Sequence, residues 1–195
     1  MYYVTPINFS SSKTLYLGEA PGQRVYSISR RDKLSSPSLF PPTPPYRKLI
    51  EEDVEFLKKL NLWYIVVLLT RQELQWMPYP LLQAYEKELG VKVIHFPIED
   101  YGVPRSMKEF SKLITCILQA LGKGNVLIHC AGGMGRTGLV ATAALIRLRI
   151  PLVKALPYLR NKRPGLVERK TQYQFLQEYE RQLHGSTSNE IPRKH

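Results

Sequence analysis

Cysteine is scarce in this sequence. Only Cys116 and Cys130 occur among 195 residues. Two thiols cannot form a disulfide framework, so the sequence predicts a reducing, intracellular setting. They also cannot build a four-ligand zinc-finger site, because their spacing from the histidines is wrong for one. We therefore expect a protein without a structural metal.

Long hydrophobic runs are missing as well. The longest, residues 62–69, is far shorter than the roughly 20 apolar residues of a membrane-spanning helix. The first residues, MYYVTPINFSSSK, contain no basic segment followed by an apolar one, so we expect no secretory signal. Hydrophobic residues make up 44% of the chain and charged residues 23%. This composition is ordinary for a globular protein and argues against wholesale disorder.

Acidic residues are few relative to basic ones. The chain has 28 Lys and Arg against 16 Asp and Glu, a formal net charge of +12. Residues 49–146 are neutral overall, whereas residues 147–195 carry eleven basic and four acidic side chains. A basic surface suits an anionic substrate, nucleic acid or a lipid headgroup, and it is equally typical of a solvated basic face.

Strand and helix patterns alternate along the chain. Apolar, β-branched runs predict strands at residues 13–17, 23–28, 62–69, 91–96 and 126–129. Periodic apolar spacing predicts helices at residues 46–60, 79–89, 107–121, 137–149, 152–161 and 168–184. This order indicates an α/β fold with a central, mostly parallel sheet flanked by helices. We expect one domain over residues 1–184, with a Pro/Ser/Arg-rich insertion at about 29–45 and a disordered tail at 185–195.

The segment from His129 to Gly138, HCAGGMGRTG, carries the chemistry. It lies between a buried strand and an apolar helix, and its glycines allow successive N–H groups to point inward as an anion nest. The helix that begins near Thr137 directs its positive end to the same place. The loop therefore suits a tetrahedral oxyanion such as phosphate. It is not a nucleotide P-loop, because no lysine follows the glycines.

The side chains of this loop indicate a nucleophilic site. Cys130 begins the loop, and the inward N–H groups, the helix end and Arg136 all favour its thiolate form. Arg136 can return around the loop and bind two phosphate oxygens. Thr137 can donate a hydroxyl hydrogen bond to the sulfur. The residues between the cysteine and the arginine would bind substrate; they are Ala131, Gly132, Gly133, Met134 and Gly135.

HCAGGMGRTG resembles the signature loop of cysteine-dependent protein tyrosine phosphatases, and the chain length fits the dual-specificity branch. Four further segments are similar, in the same order, to the cyclin-dependent-kinase-associated phosphatases. They are LGEAPG (17–22), TRQEL (70–74), PIEDYGVP (97–104) and TQYQFL (171–176). The resemblance implies a dual-specificity phosphatase-like fold, no cofactor, and phosphorylated proteins as substrates, a kinase among the possible partners.

The resemblance also implies roles for single residues. Cys130 matches the nucleophile, Arg136 the phosphate clamp, Asp100 the general acid and Gln172 a glutamine that orients the hydrolytic water. The sequence departs from the subgroup at Leu69, where a cysteine able to protect the nucleophile would fall. The segment 30–45 has no recognised counterpart.

Several alternatives stay open at this point. Glu99 competes with Asp100 as the acid that protonates the leaving group, and its position in the matching loop favours Asp100. The same chemistry would serve a phosphoinositide phosphatase or an RNA 5′-triphosphatase. The neutral side chains between Cys130 and Arg136 argue against polyanionic headgroups, whereas the charge of +12 keeps both alternatives, and nucleic acid, open. A non-enzymatic phosphate-binding adaptor would not need this set of reactive residues.

A few other residues attract structural or binding interpretations. Glu73 is expected to hold a loop by a salt bridge, Cys116 to lie in the core, and His129 to fix the loop geometry by hydrogen bonds. The segment from Pro42 to Arg47, PTPPYR, fits a PxxPxR pattern for SH3-type recognition. Three basic residues before a loop could select acidic side chains beside the phosphate, and they fit a plain solvated turn equally well: Arg160, Lys162 and Arg163.

Overall fold

The computed structural model describes residues 2–22, 44–75 and 81–185, except for the side chains of residues 44–50 and 185. The strands are β1 (Val4–Ser10), β2 (Lys13–Gly18), β3 (Leu62–Val67), β4 (Lys92–His95) and β5 (Asn125–His129). The helices are α1 (Pro44–Lys58), α2 (Arg71–Gln75), α3 (Leu81–Glu88), α4 (Met107–Lys123), α5 (Gly135–Arg147), α6 (Leu152–Lys162) and α7 (Lys170–Gly185).

The five strands form one sheet in the order β1-β2-β5-β3-β4. β1 is antiparallel to β2, and the other neighbours are parallel. The predicted α/β fold with a largely parallel central sheet is confirmed. Because parallel strands need crossover connections, helices cover the sheet on both faces.

The alternation of side chains along β5 shows how the two faces are filled. Val126 and Ile128 point into a core built with α4, α5, α6 and α7. Leu127, between them, points to the opposite face, where it packs with residues of α1 and α3 such as Leu57 and Tyr85. These three side chains in the middle of β5 are fully buried, as expected for a central strand.

The carboxyl ends of β3, β4 and β5 meet at one edge of the sheet. Thr70 follows β3, the loop 96–106 follows β4, and Cys130 follows β5. In open α/β sheets this edge is where ligands bind, which places both predicted functional loops side by side.

Two elements differ from the sequence-based prediction. β1 was not predicted because Pro6 and Asn8 interrupt its apolar pattern. β1 is an edge strand of the sheet, and such a strand tolerates proline because an N–H that faces solvent is not needed for strand pairing. α2 is a short helix that begins with a capping box. The Glu73 N–H donates to the Thr70 hydroxyl at 3.1 Å, and the Thr70 N–H donates to the Glu73 carboxylate at 2.8 Å.

Cys116 corrects another expectation. The buried face of α4 is formed by residues such as Leu113, Ile114 and Ile117. Cys116 lies beside that face and is exposed, so it is not a core residue. The apolar letters around it suggested burial, but its angular position on the helix decides its exposure.

Some predictions fall on residues outside the described ranges. These are the strand at 23–28, most of the insertion at 29–45, and the tail predicted at 185–195 except Gly185, which ends α7. The SH3-type motif lies partly there, but Pro44 and Pro45 form the first turn of α1. Such recognition needs an extended polyproline helix, so this prediction is not supported; proline's fixed φ suits a helix start equally well. In the described part of the chain, the helices are too short or too polar to cross a membrane.

Candidate active site

The loop of the HCAGGMGRTG segment runs from Cys130, directly after β5, to Gly135, the first residue of α5. Gly133 has φ +69°, and a Cβ atom on it would lie 2.4 Å from the carbonyl oxygen of Gly18, at the end of β2. Only glycine fits there without strain. The loop is therefore pressed against the sheet edge while α5 directs its N-terminus at it, which favours an anion at this position.

The Cys130 sulfur lies at the bottom of the loop. Its side chain is buried, and the Thr137 hydroxyl donates a hydrogen bond to its Sγ atom at 3.2 Å. This is the contact that the sequence predicts. A hydroxyl donor facing the sulfur stabilises a negative charge on it.

Arg136 is the most constrained side chain of the site. Only 2% of it is exposed. Its Nη1 and Nη2 atoms donate to the two carboxylate oxygens of Glu73, both at 2.8 Å, and Nη1 also donates to the carbonyl of Ile98 at 2.9 Å. Nη2 forms an ion pair with Oδ1 of Asp100 at 3.1 Å. The arginine, at the start of α5 after β5, is thus tied to α2, which follows β3, and to the loop that follows β4.

The pair of Arg136 and Glu73 is electrostatically coupled. Burial alone would lower the pKa of Arg136, but the hydrogen bond to Glu73 and the nearby Cys130 and Asp100 raise it. Burial would likewise raise the pKa of Glu73, whereas the hydrogen bonds from Arg136 and from the Thr70 backbone lower it. Both groups are therefore held in their charged forms. The expected salt bridge of Glu73 is present, and its partner is the predicted phosphate clamp.

Asp100 and Glu99 have different surroundings. Asp100 is half-exposed, faces Arg136, and accepts a hydrogen bond from the Tyr101 N–H at 3.1 Å. Glu99 is more exposed and pairs with Arg105 at 3.3 Å. Both carboxylates border the cleft, but of the two only Asp100 is directed to the guanidinium beside the cysteine.

His129 is fully buried beneath the loop. Its Nδ1 lies 3.1 Å from the Cys130 carbonyl and its Nε2 lies 3.0 Å from the Tyr85 hydroxyl. A carbonyl can only accept, so Nδ1 carries the proton and Nε2 accepts from Tyr85. Burial lowers the pKa of His129 to about 4, and Arg136 adds to this effect. The neutral ring fixes the loop, as the sequence suggests.

Gln172 lies against the loop, but its amide is engaged with the backbone. Its Oε1 accepts from the N–H groups of Glu168 and Arg169, at 3.1 and 3.3 Å. Its Nε2 donates to the carbonyl of Gly102 at 3.2 Å. In this structure Gln172 ties the loop of Asp100 to the start of α7; its role toward water stays a prediction.

Arg163 has a position that the sequence did not indicate. Its guanidinium is buried behind the loop, donates to the Gly132 carbonyl at 3.2 Å and to the Thr5 hydroxyl at 3.4 Å, and lies over the ring of Tyr3. It therefore supports the loop and does not face a substrate. Arg160 donates to the carbonyls of Leu166 and Val167, so it too serves the local backbone. No periodic pattern distinguishes such arginines from surface ones.

The reactive groups converge on a cleft of about 330 Å³. Its walls include Cys130, the loop backbone, Arg136 and Asp100, which are the predicted catalytic and binding residues. Four acidic residues border it, namely Glu73, Glu99, Asp100 and Glu168, whereas Arg136 is its one basic lining residue in the described part of the chain. Within the same ranges, no three His, Cys, Asp or Glu side chains group as a metal site would require.

Comparison with known proteins agrees with this architecture. A family model described as cyclin-dependent kinase inhibitor 3 (CDKN3) matches residues 44–153, more than half of the chain. The cyclin-dependent kinase inhibitor 3 of Homo sapiens is 34% identical over 142 residues, a match that covers 70% of this chain and 66% of that relative. The matched region thus spans just under two thirds of the relative's length.

Two solved structures are similar over nearly the whole chain. Kinase associated phosphatase (KAP), with its catalytic site cysteine substituted by serine, gives a TM-score of 0.74 at 26% identity, covering 94% of this chain and 96% of that one. Tk-PTP in its active form gives 0.65 at 27% identity, covering 91% and 97%. The phosphatase-like fold and the predicted resemblance are confirmed, and the chain belongs to the cyclin-dependent kinase inhibitor 3 family.

Proposed function

We propose that this protein is a cysteine-dependent phosphatase that hydrolyses phosphotyrosine and phosphoserine or phosphothreonine in proteins. The observation that carries the proposal is the convergence of Cys130, Arg136 and Asp100 on one cleft above a helix N-terminus. A phosphate-binding adaptor has no need of a buried thiol with a hydroxyl donor or of a carboxylic acid beside the clamp.

The geometry supports a two-step reaction. The Cys130 thiolate attacks phosphorus in line, an S–P bond forms as the P–O bond to the substrate breaks, and Asp100 gives its proton to the departing oxygen. Water then attacks the phosphocysteine, Asp100 takes a proton from it, and the S–P bond breaks to return the thiolate. The hydroxyl of Thr137 stabilises the sulfur as it leaves.

Arg136 has a defined edge left for phosphate. Its Nη1 donates to Glu73 and Ile98, and its Nη2 donates to Glu73 and faces Asp100. Of the five N–H donors of a guanidinium, the one on Nε and the one that faces Asp100 form a fork of the kind that binds two phosphate oxygens. Together with the loop N–H groups, this fork stabilises the charge of the transition state.

The charge around the cleft favours a singly phosphorylated side chain. Glu73 is neutralised by Arg136, but the other bordering carboxylates, Glu99, Asp100 and Glu168, would repel the additional phosphates of a phosphoinositide or of a triphosphorylated RNA end. The loop itself carries no lysine. Among the described residues, Arg136 is the one basic side chain that lines the cleft, so a phosphorylated protein, with a kinase as one candidate, is the substrate class that fits. The two free thiols agree with an intracellular setting.

Turnover measurements test the proposal. We expect release of phosphate from phosphotyrosine and phosphothreonine peptides to exceed release from phosphoinositides and triphosphorylated RNA, and to survive EDTA. Cys130→Ser should abolish turnover while retaining phosphopeptide binding, because the serine hydroxyl stays protonated. Cys116→Ser is the matched control and should retain full activity. Residual turnover of Cys130→Ser within about tenfold of the wild type would contradict the covalent mechanism.

A further inference from the structure

A second groove lies away from the catalytic cleft. It has a volume of about 940 Å³ and is formed by the start of α4, the end of α5 and the end of α7. It shares no lining residue with the cleft. The cleft lies at the first residue of α5 and the groove at its last turn, so the length of a 13-residue helix, about 18 Å, separates them.

The groove is basic. Its lining includes Lys108, Lys112, Arg147, Arg149 and His184, and no described residue that lines it is acidic. Lys112 is paired with Glu109 at 2.9 Å. Within the described ranges, Lys108, Arg147 and Arg149 form no ion pair, so three exposed positive charges lack a carboxylate partner.

Apolar surface adjoins these charges. Met107, Ile146 and Leu183 line the groove itself. At its edge, the turn between α5 and α6 exposes Leu148 and Ile150, 46% and 38% of whose surfaces are accessible. Exposed apolar side chains rimmed by charge are typical of protein-interaction sites.

The backbone at Arg149 adds a structural detail. α5 ends in a Schellman motif, in which the Ile150 N–H donates to the Leu145 carbonyl and the Arg149 N–H to the Ile146 carbonyl. Arg149 occupies the left-handed position of this motif, with φ +67°, where glycine is the favoured residue. A cationic side chain therefore stands at the edge of the groove against the conformational preference of the backbone.

We propose that this groove docks an acidic peptide segment of a protein partner, with carboxylates on the three unpaired basic residues and apolar side chains on the groove floor and turn. Charge complementarity and the adjoining apolar surface select such a segment over a purely polar one. The inference is independent of the proposed reaction, because no lining residue of the groove belongs to the catalytic cleft.

The test uses a fluorescein-labelled peptide of alternating glutamate and leucine, with anisotropy as the readout. The groove variant Lys108→Glu/Arg147→Glu/Arg149→Glu should weaken binding by about tenfold or more, since three attractive contacts become repulsive. The control Lys59→Glu/Lys87→Glu/Lys123→Glu changes net charge equally on other exposed lysines and should weaken it by less than about threefold. Both variants should hydrolyse a small aryl phosphate at the wild-type rate.

Arg149→Gly separates docking from folding. Glycine fits the left-handed position, so the melting temperature should not fall, while peptide binding weakens. Equal weakening by both triple variants, or wild-type binding by the groove variant, would overturn the site. Tighter, groove-dependent binding of single-stranded RNA or of phosphatidylserine vesicles would overturn the peptide as its occupant.

Discussion

The Nη2 atom of Arg136 lies 3.1 Å from Oδ1 of Asp100, so the phosphate clamp and the general acid of the proposed mechanism are ion-paired with each other. The N–H that faces Asp100 belongs to the fork that would bind phosphate. Phosphate must therefore displace the carboxylate, and this displacement releases Asp100 to carry the proton that the leaving group needs.

Asp100→Asn should lower kcat by about 10²–10⁴ for substrates with poor leaving groups and much less for aryl phosphates with good ones. A good leaving oxygen departs without a proton, whereas an alkoxide does not. The basic limb of the pH–rate profile should flatten in the variant. If Glu99→Gln shows this leaving-group dependence and Asp100→Asn does not, Glu99 is the acid.

The same variant should bind inorganic phosphate more tightly. An amide competes less well than a carboxylate for the Arg136 guanidinium, so the inhibition constant of phosphate should fall by about threefold or more. Competitive inhibition of aryl phosphate hydrolysis measures this constant. An unchanged or higher constant would show that Asp100 does not compete with the ligand.

Glu73→Gln should destabilise the fold and impair the clamp. It leaves the buried Arg136 without its anionic partner, at a cost of about 2–4 kcal/mol in the free energy of unfolding. Because the folded-state pKa of Glu73 is lowered, its stabilising contribution is complete above the unfolded-state pKa of about 4.3 and is lost as the pH falls through the lower, folded value. The gap between wild type and variant should therefore shrink in acid. Glu86→Gln, on the exposed face of α3, should show no gap at neutral pH.

Gly133→Ala and Gly132→Ala form a matched pair within one loop. At position 133 an alanine would have to adopt a left-handed φ, and its Cβ would meet the Gly18 carbonyl. At position 132 an added Cβ would meet nothing within 4 Å. We expect Gly133→Ala to lose about tenfold or more in kcat/KM and to unfold at lower denaturant, with Gly132→Ala close to wild type. Similar values for the two variants would mean that the loop is not fixed against β2.

His129 should make the protein sensitive to acid. Its folded-state pKa of about 4 lies below the ordinary value of 6.5, so the unfolded chain binds its proton first as the pH falls. The wild type should lose about 3 kcal/mol of stability through this residue between pH 7 and pH 4. Urea unfolding of His129→Gln should lack that part of the decline. His184→Gln, an exposed control, should follow the wild type.

The sequence predicted most of the fold because its buried strands and capped helices carry local signals. The centre of β5, from Val126 to Ile128, is apolar, and Ser106 accepts the Glu109 N–H at 3.2 Å as the N-cap of α4. β1 was missed because its stability comes from pairing with β2 across the sheet and not from its own pattern. The convergence of Cys130 and Asp100 was predictable because both follow parallel strands of one sheet.

The contacts that support the site were harder to predict from the sequence. Glu73 was expected in a salt bridge, but nothing in the sequence identifies Arg136, 63 positions away, as its partner. The local sequence around Arg163 is rich in basic residues and looks like that of a solvated turn, so it does not indicate that Arg163 is buried. Such contacts depend on how distant loops pack, which periodicity and motif spacing do not encode.

The support of the loop by Arg163 has a consequence for the order of assembly. Its guanidinium donates to the Thr5 hydroxyl, a residue 158 positions earlier, while it also holds the Gly132 carbonyl. During synthesis β1 emerges first, yet the loop lacks this brace until the segment after α6 has left the ribosome. A nascent chain that stops before Arg163 therefore carries HCAGGMGRTG without this brace, and under the proposed function we expect it to bind phosphate only after Arg163 has been added.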